Sequence, residues 1–97
     1  MGLNILAWRW SVLTEAEILA KVREIVSDKL GVAEEEICRE SDFIDDLGAD
    51  SLYLNEIVYE IEEEFDLRVP DEDFDSMRTV GQAVDYIYNR VRDDRDR

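Results

Sequence analysis

With 97 residues and a formal net charge of -15, the chain has room for one small domain with an acidic surface. That surplus of carboxylate excludes binding to a nucleic-acid backbone, which needs Lys and Arg, and favours basic partners. The chain has no His and one Cys, Cys38, which removes the imidazole general base, any internal disulfide and a Cys-rich zinc site. A lone thiol fits a reducing compartment such as the cytoplasm, and Cys38 reads as a small, partly buried loop residue. No stretch reaches the roughly 20 apolar residues that span a bilayer.

Residues 1–13 read as an N-terminal extension. Its apolar run is short and Arg9 interrupts it. It lacks a basic n-region and a small-residue cleavage site, and Leu6 stands where a myristoylation signal needs Ser or Thr. Trp8 and Trp10 either pack back on the domain or touch a partner.

The domain proper spans residues 14–91. Thr14 and Glu17 form a capping-box pattern. Ile18, Val22, Ile25 and Val26 follow at helical spacing, Leu30 closes the stripe, and Gly31 suits a C-cap. Periodicity then fades over residues 32–50. A loop of that length needs a function or an anchor, and Ile37, Phe43, Ile44 and Leu47 are the candidate anchors. A second helix is predicted over residues 51–65, with Leu54, Ile57, Val58, Ile61 and Phe65 on one face. Its other face is acidic. Between Arg39 and Arg68 lie eleven acids and no Lys or Arg, a face of one sign. Pro70 stops helical continuation. Residues 71–77 read as a short helix with Phe74 and Met77 inward. Thr79 and Gln82 give a second capping box, ahead of Val80, Ala83, Val84, Ile87 and Val91. Residues 92–97 have nothing to bury and read as a fraying tail. The fold class is all-α: a four-helix bundle of three long helices and one short helix.

Intrinsic catalysis finds no support. A Ser nucleophile needs a base, and without His the only amines are Lys21 and Lys29, both on the first helix. A calcium loop begun at Asp45 puts Leu47, Ala49 and Asp50 where acid, acid and Gly are required. The acids therefore imply no structural metal site, only loose divalent binding as charge relief. Ser51 at a helix start supports two readings. It is either the N-cap or a phosphate-bearing residue, favoured by unpaired amides and the helix dipole. Gly48 and Ala49 would leave an enzyme room to reach its hydroxyl.

The run Asp46-Leu47-Gly48-Ala49-Asp50-Ser51-Leu52 resembles the prosthetic-group motif of acyl carrier proteins. Leu30-Gly31-Val32, the pattern E-I-E-E-E-F-D from Glu60, Val69-Pro70-Asp71-Glu72 and the stretch from Thr79 to Ile87 are similar to that family at its usual spacing. The resemblance covers about residues 14–91. It implies a non-catalytic carrier in fatty-acid or related lipid biosynthesis. It implies 4′-phosphopantetheine on Ser51, attached by a separate phosphopantetheinyl transferase, with acyl groups held as thioesters on the arm. It also implies docking to basic patches of acyl-chain synthesis or acyl-transfer enzymes through Asp50, Leu52, Glu56, Tyr59, Glu62 and Glu63. An acyl pocket is implied at Phe43, Leu47, Val58, Ile61, Phe74 and Met77, residues that also read as plain core. The protein is expected to be a monomer. Tyr53, Asn55 and Tyr59 depart from the common fatty-acid type. They keep open a specialised carrier for a polyketide, aminoacyl or unusual lipid pathway, although aminoacyl carriers are usually less acidic there. An acidic helical interaction module without an arm is the alternative from another class.

Overall fold

Thr14 starts the first helix by the predicted capping box. Its hydroxyl accepts from the Glu17 amide at 3.2 Å, and the Glu17 carboxylate accepts from the Thr14 amide at 2.9 Å. The computed structural model describes residues 14–96, with side chains through Val91. The predicted extension, with Trp8 and Trp10, lies outside the described residues. Helix α1 runs Glu15–Leu30 and stops at Gly31, whose φ of 72° is the left-handed geometry glycine adopts without penalty. Helix α2 runs Ser51–Phe65 and ends at Asp66, also left-handed at φ 55°. A 3-10 segment, Asp71–Ser76, precedes helix α3, Val80–Asp96. Among the described residues the architecture is three long helices and this short one, with a further single-turn 3-10 helix at Glu34–Glu36. The short element is a 3-10 helix, and the last helix runs through Asp96.

The apolar stripes converge. Ile18, Val22, Ile25 and Val26 of α1 meet Ile57, Val58, Ile61 and Phe65 of α2 and Val80, Ala83, Val84, Ile87 and Val91 of α3. Helix α1 packs against both other long helices. Burying each large side chain here contributes about 1.5–3 kcal/mol, an upper estimate against a compact unfolded chain.

The long loop is tied down by backbone bonds that the sequence pattern does not encode. The Phe43 amide donates to the Arg78 carbonyl and the Val80 amide to the Ser41 carbonyl, both at 3.0 Å; the Gly81 amide donates to the Arg39 carbonyl at 2.8 Å. A Cβ on Gly81 would stand 3.0 Å from that carbonyl oxygen, so a larger residue would have to push the two segments apart by a few tenths of an ångström. Ile37 and Phe43 are buried as anchors, and Leu47 packs half-buried. Ile44 does not anchor the loop; it is 55% exposed. The Asp42 carboxylate accepts from the amides of Ile44 and Asp45, both at 2.9 Å, and that side-chain-closed turn aims residue 44 outward. These amides, that of Asp45 first, hold the Asp42 carboxyl below the usual carboxylate range, with Arg78 adding to the effect. Cys38, expected to be partly buried, is exposed beside buried Ile37.

The one-signed face of α2 is partly neutralised from another helix. Lys21 reaches Glu64 and Lys29 reaches Glu60, each at 3.5 Å. Such pairs contribute about 0–1 kcal/mol each, yet both bring cations to a chain of strong self-repulsion. The 3-10 segment hangs on α3 through Tyr86. Its phenol donates to Asp73 Oδ2 at 2.6 Å and accepts from Arg90 Nη1 at 2.9 Å, and Arg90 also donates to the Arg68 carbonyl at 2.8 Å. Burial raises the Tyr86 pKa, and the bond to Asp73 adds to it. The bonded phenol therefore contributes stability that is complete below its ordinary value near 10 and is lost as pH rises through the raised one. Tyr86→Phe is expected to cost about 1 kcal/mol at pH 7 in urea unfolding, with the gap to wild type closing at more alkaline pH. A gap independent of pH would contradict this role.

Candidate functional site

Ser51 is the first residue of α2, and it is exposed. The cap is not Ser51 but Asp50, whose Oδ1 accepts from the Tyr53 amide at 3.0 Å. The capping alternative for Ser51 therefore falls, and its hydroxyl has no hydrogen-bond partner among the described residues. The amides of Ser51 and Leu52 have no helical carbonyl one turn earlier to receive them. A phosphate ester at Ser51 would meet these donors and the positive end of the helix dipole, an effect of about 0.3–1 kcal/mol. The neighbouring carboxylate of Asp50 opposes it, although that oxygen is already engaged by Tyr53. The site thus fits an exposed phosphodiester, held by a covalent bond and little else.

The approach to Ser51 is set by the turn before it. The Gly48 amide donates to the Ile44 carbonyl at 3.1 Å and the Ala49 amide to the Phe43 carbonyl at 2.8 Å. Gly48 has φ 76° with nothing within 4 Å of an added Cβ. Its requirement is conformational, not one of space. Ala49 is buried, so its small side chain packs into the core. Gly48→Ala is expected to cost about 1 kcal/mol in urea unfolding, and Gly48→Asn less, since Asn tolerates the left-handed region. Equal costs for the two would argue against a conformational origin.

Beside Ser51 lies an exposed apolar and acidic face. Leu52, Glu56, Tyr59 and Glu63 recur at helical spacing along α2, over about 16 Å of rise, and all four are exposed. Leu52 is 65% and Tyr59 60% exposed, and Ile44 and Tyr53 add exposed apolar surface nearby. Glu62 stands apart from this stripe. It is half-buried, and its Oε2 accepts from the Val69 amide at 2.8 Å, tying the turn after α2. Neither Ile44 nor Tyr53 is among the predicted docking residues; Ile44 lies in a loop, where no periodicity marks a residue as exposed, and Tyr53 lies on α2.

Behind this face is an apolar slot between α2, the 3-10 segment and α3. Five of the predicted pocket residues line it: Phe43, Val58, Ile61, Phe74 and Met77. Leu47 does not. Leu54, Ile57 and Ala83 complete the lining, and the helical stripes in the sequence already carried all three. The slot holds about 10 Å³ of free space, roughly one water-sized sphere, so its walls must move to admit an alkyl chain. Among the described residues, no group of three or more acidic or Cys side chains converges as a metal site.

Comparison with known proteins adds the family. The family described as phosphopantetheine attachment site matches residues 20–87. The acyl carrier protein of Chlorobium phaeovibrioides is 51% identical over 78 residues, covering 80% of this chain and all of that protein. The acyl carrier protein of Clostridium perfringens is 54% identical over 67 residues, 69% of this chain and 88% of that one. A solved structure of the acyl carrier protein from Enterococcus faecalis superposes with a TM-score of 0.69 at 39% identity, covering 79% of this chain and 98% of that one.

Proposed function

The chain belongs to the acyl carrier protein family, non-catalytic carriers of acyl groups on phosphopantetheine, and we propose that Ser51 is the residue that bears the arm here. The observation that carries this is the exposed hydroxyl at the head of α2, left unpartnered because Asp50 takes the capping role. When bound, the arm supplies the terminal thiol on which an acyl group is held as a thioester. Intact-mass measurement after incubation with coenzyme A, magnesium and a broad-specificity phosphopantetheinyl transferase tests the assignment. One arm added per chain is the expected result, and no mass gain overturns it.

The acyl cargo in this reading moves between enzymes of fatty-acid or related lipid biosynthesis. Partners would carry basic patches opposite Asp50, Glu56 and Glu63, with Leu52 and Tyr59 as apolar contacts. Glu62 contributes there only through its remaining exposed surface. In this reading the carrier acts as a monomer in the cytoplasm. Among the described residues no helix is long and apolar enough to cross a membrane. Weak exposed ion pairs suit a shuttle, because they speed encounter without slowing departure. Glu56→Lys is expected to lower transferase kcat/KM about 3–10-fold at low ionic strength, with the difference shrinking as salt rises and helicity unchanged. Loading rates equal to wild type at all salt concentrations would remove Glu56 from the docking face.

The exposed rings of Tyr53 and Tyr59 favour a second reading within the same class, a specialised acyl pathway with its own partner enzymes. Mass spectrometry of the thioester isolated from the native cell separates the two.

A further inference from the structure

A phosphodiester on Ser51 is an anion set down among acids. Between Arg39 and Arg68 the sequence holds no Lys or Arg. The two lysines that reach α2 from α1 are taken further along the helix, Lys21 by Glu24 and Glu64 and Lys29 by Glu60. Arg78, whose carbonyl accepts from the Phe43 amide, is paired with Asp42 at 3.3 Å. What remains is the surface of α2 one turn on from Ser51. Residues three and four apart on a helix are neighbours, with Cβ atoms about 5–6 Å apart, and the later side chain leans back over the preceding turn. For Ser51 those neighbours are Leu54, half-buried and apolar, and Asn55, exposed. Tyr53, two residues on, lies on another side of the helix. Asn55 carries the only amide side chain of α2, and that amide has no hydrogen-bond partner among the described residues. A carboxylate can only accept and adds charge; an amide offers two N–H donors and none.

We propose that Asn55 is a second binding residue for the prosthetic group, its side-chain Nδ2 donating to a phosphodiester oxygen on Ser51. This rests on the reading that Ser51 bears the arm. The acceptor is charged, which makes the bond stronger than one between neutral groups. It holds the first bonds of the arm against α2 and offsets the repulsion from the neighbouring Asp50. Asn55→Asp keeps the size of the side chain but sets a like charge one turn from the phosphodiester, which repels it. Asn55→Val removes the donor and adds no charge. Before the arm is attached, neither substitution breaks a side-chain hydrogen bond among the described residues.

The test loads the full chain to completion with the unacylated arm, as wild type, Asn55→Asp, Asn55→Val and Arg78→Gln. Intact mass confirms loading and circular dichroism confirms helicity. The arm brings one phosphorus to the chain, so its phosphorus-31 resonance reports on this site. In wild type that resonance should stand displaced from its position in the urea-unfolded chain. Asn55→Asp and Asn55→Val should lose most of the displacement, and Arg78→Gln should keep it. In nitrogen-15-labelled wild type, loading should move one proton of the Asn55 side-chain amide downfield and leave its geminal partner nearly still, because one N–H points at the phosphate. A group that is merely close by would move both. Equal movement of the two protons, or none, overturns the proposal. A phosphorus resonance indifferent to residue 55, or one that follows residue 78 instead, overturns it as well. If a variant loads poorly, the amide protons of wild type decide. A wild type that takes no arm overturns the assignment of Ser51 and this inference with it. A loaded wild type whose Asn55 amide ignores the arm overturns this inference alone.

Discussion

Ser51→Ala is expected to fold like the wild type and to accept no arm. The first half follows from how α2 is capped, and the second from the proposed arm on Ser51. The cap of α2 is supplied by Asp50 Oδ1 on the Tyr53 amide at 3.0 Å, so removal of the Ser51 hydroxyl breaks no hydrogen bond among the described residues. Ala has a slightly better helix propensity than Ser, so the melting temperature should hold or rise by a degree or two. Were Ser51 the cap, the same change would cost about 1 kcal/mol. Asp50→Ala is the control and should carry that cost. Loading separates the variants in the other dimension: Ser51→Ala shows no added mass at any transferase concentration, while Asp50→Ala remains loadable at a reduced rate. An arm on Ser51→Ala would send the assignment to another hydroxyl. Ser41 is a poor candidate, being buried with its hydroxyl accepting from the Cys38 amide at 3.0 Å.

The long helices were legible because their signals are local and repeated. Thr14 with Glu17 and Thr79 with Gln82 announce helix starts by residue type and spacing, and both capping boxes form. The stripes through Val22, Ile57 and Ile87 repeat at helical period and are buried. What was not legible depends on contacts distant in sequence. The bonds from Phe43 to Arg78 and from Gly81 to Arg39 join a loop to a helix start some forty residues away, and backbone groups leave no trace in residue type. Ile44 is apolar and sits among anchors, yet the Asp42 turn points it outward. Glu62 reads as one more surface acid, and only the fold brings the Val69 amide to it. Ser51 shows the same division. Its helix-start position was readable, but Asp50 and Ser51 are both good caps, and choosing between them takes the backbone geometry. Periodicity made the pocket residues legible only as core, and the family resemblance alone marked them as a pocket, because burial looks the same in sequence whether or not the walls can part.

Ile87→Ala is expected to leave the chain largely unfolded at low ionic strength and largely folded at high. Ile87 is fully buried on α3 among residues of all three long helices, so its truncation removes transfer energy and leaves a cavity, a cost of about 2–5 kcal/mol. A domain of this size has about 4–12 kcal/mol to lose, and the net charge of -15 pushes it to the low end through self-repulsion. Among the described residues only Lys21 and Lys29 reach across to the acids of α2, and these pairs are half-exposed. Raising salt from physiological strength to 1 M shortens the screening length from about 8 Å to about 3 Å, which weakens repulsion between exposed carboxylates and leaves the apolar core alone. Circular dichroism melts of wild type and Ile87→Ala at low and high salt give the measurement. The variant should melt at least about 10 °C lower than wild type, since 1 kcal/mol shifts a domain of this size by about 4–8 °C. Salt or millimolar magnesium should raise both melting temperatures. Ile44→Ala serves as the contrast: at 55% exposure its melt should stay within a few degrees of wild type. A small shift for Ile87→Ala together with a large one for Ile44→Ala would invert the assignment of core and surface. Melting temperatures indifferent to salt would mean that the acidic surface does not limit stability.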